Sequence, residues 1–189
     1  MNIVQKIKHI IFVKFRILKY KWLSTCKNTF GNPIQHHPML LEGEGTVVFG
    51  TKVQIGVVFS SNFYSHYSYL EARFKESQII IGNNVSINNA FSAVAFSKIT
   101  IEDNVLIGIN CAIIDNDGHH LEIDKRTSVI SKSAEVLISK NVFIGDNVSI
   151  LKGVTIGQNS VIGFGSVVTK SIPENVVAAG NPAQIIRAI

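Results

Sequence analysis

Two hydrophobic rhythms divide the chain. In MNIVQKIKHIIFVKFRILKYKWL, residues 1–23, cations recur every few positions among Ile, Val, Phe and Leu. That spacing predicts a helix with one wet and one apolar face. A break follows at NTFGNPIQHHP, residues 28–38, where two prolines, a glycine and polar turn formers predict a linker. His36 and His37 lie in it, and a loop histidine pair is expected to be solvated and without a role. From Thr46 onward the helical period is absent, Val, Ile, Thr and Phe dominate, and Gly and Asn punctuate.

That second region repeats. Every sixth position from 138 is aliphatic: Ile138, Ile144, Ile150, Ile156, Ile162 and Val168. Four residues after each stands a small or β-branched residue: Val142, Val148, Val154, Ser160, Ser166 and Ile172. Ile81, Ile87 and Ala93 begin the same frame, and after a two-residue shift Ile101, Ile107 and Ile113 resume it, with Val105 and Cys111 at the fourth place. A period of six suits neither a helix nor a hairpin meander. It predicts short strands joined by tight corners, three to a triangular coil, with successive coils stacked at the sheet spacing of about 4.8 Å. The recurring aliphatics then form continuous inward columns, and each coil satisfies the backbone of the next. Gly82, Asn83, Gly145 and Gly157 are expected at corners, supplying backbone angles that other residues avoid. The chain divides into a helix and linker over 1–40, a β-helix over 41–172 with a projecting loop at 114–137, and a short C-terminal segment over 173–189.

Charge sharpens this division. The formal net charge is +5, from 18 Lys and Arg against 13 acids. Seven of the cations and none of the acids fall within residues 1–41. The body therefore carries a slight acidic excess and is not a polyanion-binding surface, which argues against a nucleic-acid partner. The basic helix has two readings: it packs on its own protein, or it also rests on an anionic membrane surface. Its longest uncharged apolar run, Ile10 to Val13, is far too short to span a bilayer, and no small-residue cleavage site follows. Two cysteines, Cys26 and Cys111, far apart and in no CxxC, suit a reducing compartment and carry no thiol chemistry; Cys111 reads as a small buried apolar residue.

The repeat breaks for long only between Ile113 and Ile138, and a long insertion in a regular scaffold is where function tends to sit. It holds His119 and His120, preceded by Asp115 and Asp117. A neutral imidazole suits the removal of a hydroxyl proton. By spacing alone these remain solvated loop histidines.

The segments IIIGNNVSI, ITIEDNVLIGINCAIIDNDGHH and NVFIGDNVSILKGVTIGQNSVIGFGSVVTKSIPENVVAAGNPAQIIR, which run from residue 79 to the end, closely resemble the hexapeptide-repeat acyltransferases. The nearest type is the sugar O-acetyltransferases acting on galactosides, maltose and surface polysaccharides. The resemblance implies a mainly β fold, a left-handed parallel β-helix, although the usual crossover preference would argue for the opposite hand. It implies acetyl-CoA as co-substrate, no metal, a homotrimer with sites between neighbouring subunits, a carbohydrate acceptor and a cytoplasmic enzyme, peripheral at the inner face of the membrane if the basic helix reaches it. His119 falls on the family's catalytic base, whereas His120 stands where many relatives have proline. Asn89 matches a position contacting the acceptor, and Phe143 one lining the acyl groove. Asp117 is either a ring-orienting group or a turn former. Asp146 replaces a small residue that polarises the thioester in some relatives; an acid there would repel an oxyanion, so a backbone N–H near Gly145 is the expected donor. Phe164, Thr169, Lys170 and Arg187 match the coenzyme groove, which makes 173–189 the segment completing that site. Gln184 replaces a second arginine of some relatives, and Lys152 a common proline.

Two other classes use such a coil. One is a non-catalytic binding or assembly protein. The other is a zinc-dependent carbonic anhydrase with three histidine ligands, for which the absence of any histidine after His120 leaves the ligand set incomplete.

Overall fold

A computed structural model describes residues 3–127 and 131–189 of the chain. Six complete coils stack in register. The first comprises β1 (Asn28–Phe30), β2 (Ile34–Gln35) and β3 (Met39–Glu42); the second β4 (Thr46–Phe49), β5 (Gln54–Ile55) and β6 (Ser68–Ala72). The third has β7 (Gln78–Ile81), β8 (Ser86–Ile87) and β9 (Ser92–Ala95); the fourth β10 (Lys98–Ile101), β11 (Leu106–Ile107) and β12 (Ala112–Ile114). The fifth has β13 (Val136–Ile138), β14 (Phe143–Ile144) and β15 (Ser149–Ile150); the sixth β16 (Thr155–Ile156), β17 (Val161–Ile162) and β18 (Val167–Val168). The first, second and third strands of each coil form three parallel faces. The second face is extended by β19 (Val176–Gly180), parallel to β17, and by β20 (Ala183–Ala188), antiparallel to β19.

The inward columns are those of the six-residue period. Ile81, Ile101, Ile138 and Ile156 pair successively on the first face, Ile87, Ile107, Ile144 and Ile162 on the second, and Ala93, Ile113, Ile150 and Val168 on the third. All are buried. Each fully buried aliphatic side chain contributes about 1.5–3 kcal/mol, so the columns supply most of the driving force. Cys111 is buried with them, burial pushes its thiol up to about 11, and it donates to the Gly145 carbonyl at 3.0 Å.

The corners work differently from the sequence expectation. Along the edge between first and second faces most left-handed residues are asparagines: Asn84, Asn104, Asn141 and Asn159 all have φ between 56° and 63°. Their side chains form ladders up the edge, Asn84 to Asn104 at 2.8 Å and Asn141 to Asn159 at 3.0 Å. Gly82, Gly145 and Gly157 are not in that conformation. They are needed for close approach of coils, since a Cβ on Gly157 would lie 2.4 Å from the backbone nitrogen of Glu174.

Residues 28–38 are not a linker. β1 and β2 pair with β4 and β5 of the next coil, so the solenoid begins at Asn28 and not at 41. The short polar strands escaped the hydrophobic pattern because an end coil has a neighbour on one side only.

The N-terminal segment is helical, as expected, with α1 (Ile3–His9) and α2 (Phe15–Leu23) joined by a π-helical turn, Ile10–Lys14, in which the Phe15 N–H reaches back to the Ile10 carbonyl. Ser24 ends it, donating its hydroxyl to the Tyr20 carbonyl at 2.8 Å and accepting the Leu41 N–H at 2.9 Å. One face packs on an excursion at residues 57–67, between β5 and β6. Val13 is buried, Tyr20 stacks on Tyr67 at 4.4 Å, and the Arg16 guanidinium donates to the carbonyls of Phe63, Ser65 and His66.

His37, expected in solvent, is fully buried beneath that excursion. Its Nε2–H donates to the Asn62 carbonyl at 3.1 Å, and its Nδ1 has no partner. Burial pushes its pKa down to about 4. The unfolded chain therefore takes up a proton near pH 6.5 that the folded chain refuses until about pH 4. Stability is fully present above about 6.5 and falls between 6.5 and 4, by up to about 3 kcal/mol. Melting temperature against pH should show that slope, and His37→Gln should flatten it; an unchanged slope would place its origin elsewhere.

Candidate active site

The loop between β12 and β13 is built from its base. Asp115 is completely buried, and its two carboxylate oxygens each accept a backbone N–H, from Phe96 and Ser97, both at 2.7 Å. Asn116, also buried, spans the loop. Its amide nitrogen donates to the Ser131 carbonyl at 2.7 Å, and its oxygen accepts the Gly118 N–H at 2.6 Å and the Ser131 hydroxyl at 2.7 Å. Gly118, at φ +75°, makes the turn that delivers His119.

His119 is exposed, and its Nδ1 lies 2.9 Å from the Arg126 carbonyl. A carbonyl only accepts, so the proton is on Nδ1 and the Nε2 lone pair is left for chemistry. The ring is thus oriented by backbone and not by Asp117. Asp117 instead forms an ion pair with Lys152, which also donates to the Lys132 carbonyl at 3.2 Å. Lys152 thereby ties the loop to the coil above. Beyond the histidines, Leu121 and Ile123 stand 77% and 85% exposed, an apolar tip reaching away from its own coil.

The other residues implied by the resemblance lie elsewhere. Thr169 and Lys170 share the edge between third and first faces with the histidine loop, and line a cavity of about 180 Å³ against Pro182, Gln184 and Ile185 of the C-terminal hairpin. Phe143, half exposed, and Asp146 line a cleft of about 230 Å³ on the second face with Val57, Asn88 and Leu106. Gly145, Asp146 and Phe164 occupy the edge between second and third faces, and Arg187 is exposed on the outermost strand of the second face. The site residues therefore divide between two edges of a triangular prism. One chain does not bring them together.

Three of these positions already have partners within the chain. The Gly145 N–H is bonded to the Ile162 carbonyl at 2.8 Å and is not available to an oxyanion. The Asp146 carboxylate accepts the Ile109 N–H at 2.9 Å and serves as a corner tie. Asn89 is fully buried, with its oxygen accepting the Val57 N–H and its nitrogen donating to the Val57 and Ser61 carbonyls, so it holds the 57–67 excursion instead of facing an acceptor. Asn116 and the Arg126 carbonyl were missed by sequence reasoning, and Lys152 was singled out by it without a role. Only the Asn-Asp-Gly turn signal at 116–118 could have pointed to the first of them.

Both repeat blocks match described families: residues 135–170 the bacterial transferase hexapeptide (six repeats), and 98–121 the hexapeptide repeat of succinyl-transferase. The crystal structure of a maltose O-acetyltransferase from Clostridium difficile 630 superposes with a TM-score of 0.55 at 31% identity, over 82% of this chain and 71% of that one. This chain belongs to the hexapeptide-repeat acyltransferases. Its coils are the left-handed parallel β-helix of that family. The hexapeptide-repeat chain is also 47% identical over 113 residues to the galactoside O-acetyltransferase of Escherichia coli (strain K12), a match covering 60% of this chain and 55% of that enzyme. It spans little more than half the length of several curated relatives that it matches. A galactoside acetyltransferase solved in complex with coenzyme A is similar at 34% identity and a TM-score of 0.56, over 85% of this chain and 66% of that one. Among the described residues of this family member, no group of three His, Cys, Asp or Glu side chains is placed to hold a metal, and no helix is long and apolar enough to cross a membrane.

Proposed function

We propose that the chain transfers an acetyl group from acetyl-CoA to a hydroxyl of a sugar or polysaccharide precursor, within a ternary complex, in the cytoplasm. The observation that carries this reading is His119: an imidazole in the first turn of the loop, its Nδ1 committed to a carbonyl and its Nε2 open. Acetyl-CoA, when bound, supplies an acyl group already activated as a thioester. His119 Nε2 removes the hydroxyl proton as the acceptor oxygen bonds to the acyl carbon, and returns it to the sulfur as the C–S bond breaks. His120 has no part in the step.

The residues present fit the coenzyme. Lys170 borders the cavity between the last coil and the C-terminal hairpin, and Arg187 lies exposed on that hairpin, both available to phosphate. Phe143 and Phe164 offer exposed apolar surface to the acyl and pantetheine portions. The hydrogen bond to the oxyanion comes from a backbone N–H near Gly145, other than that of Gly145 itself, which is bonded to the Ile162 carbonyl. We further propose a homotrimer. The separation of the His119 edge from the Phe143 and Phe164 edge, together with the apolar tip at Leu121 and Ile123, supports a site shared by neighbouring copies.

If the two cations bind phosphate, Arg187→Ala and Lys170→Ala should raise KM for acetyl-CoA more than they lower turnover at saturation. Neither should change the use of an acyl-pantetheine thioester lacking the nucleotide. Equal impairment with both donors would remove the phosphate assignment.

A further inference from the structure

The helix formed by α1, the π-turn and α2 has two faces with different fates. The inner one, through Val13, Arg16 and Tyr20, is seated on the 57–67 excursion. The outer one is bare. Val4, Ile7, Ile11, Phe15, Leu18 and Trp22 follow each other at steps of three and four along the side opposite the seat, and all are exposed, Leu18 at 61% and Trp22 at 83%. A stripe so spaced is continuous, about five helical turns long, and larger than the scattered apolar residues normal on a soluble surface.

The charges frame it. By the same spacing Lys14 and Lys21 border the stripe on one side and Lys8 and Lys19 on the other, all exposed. Residues 1–41 contain no acid. An apolar stripe between two rows of lysine is the pattern of a helix lying in a lipid interface, where side chains enter the acyl boundary and the cations meet headgroup phosphates. A second copy of the helix is a poor occupant, because stripe-to-stripe contact would oppose lysine rows without any acid to compensate. The seat on the protein body fixes which face looks outward, so the stripe is presented without a folding step.

We propose that this outer face docks the chain on an anionic lipid bilayer surface. The inference concerns the helix alone and does not depend on the acetyl-transfer reading. Trp22 is the sole tryptophan and sits in the stripe, so the full chain reports on itself. With vesicles of phosphatidylcholine plus phosphatidylglycerol, the protein should sediment, its fluorescence should move to shorter wavelength, and bromine-labelled acyl chains should quench it. Binding should be weak to phosphatidylcholine alone and should fall with added salt. Lys14→Ala with Lys21→Ala should lower partition about thirtyfold, the equivalent of about 1 kcal/mol per cation. Leu18→Ser should weaken sedimentation with melting temperature unchanged. Equal binding to neutral and anionic vesicles would overturn the proposal, as would failure to sediment. Trp22 shielded from iodide without lipid would overturn it too, and would give the stripe to a neighbouring copy.

Discussion

Replacing His119 by alanine is expected to lower turnover by about a hundredfold to ten-thousandfold, the usual contribution of positioned proton transfer, while leaving acetyl-CoA affinity nearly unchanged. The reason is chemical. An alcohol carrying its proton is a poor nucleophile, and the alkoxide is scarcely populated at neutral pH. Because Nδ1 is held by the Arg126 carbonyl, Nε2 alone can take the proton. His119→Gln retains polarity without a base and should be as impaired. His120→Ala should change the rate little. Steady-state rates, with acetyl-CoA binding measured separately by calorimetry, distinguish these cases. A His119→Ala protein that folds, binds acetyl-CoA and turns over at the parent rate would remove the mechanism.

Asp115→Ala should have the largest effect on stability, a loss of about 3–5 kcal/mol. The carboxylate is fully buried and satisfies the backbone N–H groups of Phe96 and Ser97 at once. Removing it leaves both donors without a partner, at about 1–3 kcal/mol each, and forfeits two charge-assisted bonds. Asp115→Asn keeps one acceptor and should recover part of the loss. Urea unfolding at fixed protein concentration measures this, since association would make the midpoint concentration-dependent. The loop also departs from this residue, with the Ala134 N–H bonded to the Asp115 carbonyl at 2.8 Å, so activity should fall before the fold is lost. Equal midpoints for the alanine variant and the parent would show that the two N–H groups find other partners.

The sequence by itself determined the periodic parts. Six-residue spacing is a property of the backbone path, so the aliphatics at 81, 101, 138 and 156 had to stack once the coil formed, and the one long break in the frame had to project. The basic helix, the buried thiol of Cys111 and the histidine loop were legible for the same reason, each being a local pattern. Tertiary structure decided what depends on which coil lies above which. Asp117 meets Lys152, 35 residues later, because both lie on the edge between third and first faces, one coil apart. Asn89 is consumed by an excursion 28 to 32 residues earlier, and His37 is buried by the same excursion. The group that orients His119 is a main-chain carbonyl, which every residue possesses and no side-chain pattern reveals. The split of the site residues between two edges follows from face assignment, since neighbours along the chain sit on different faces of the prism while residues a coil apart share one.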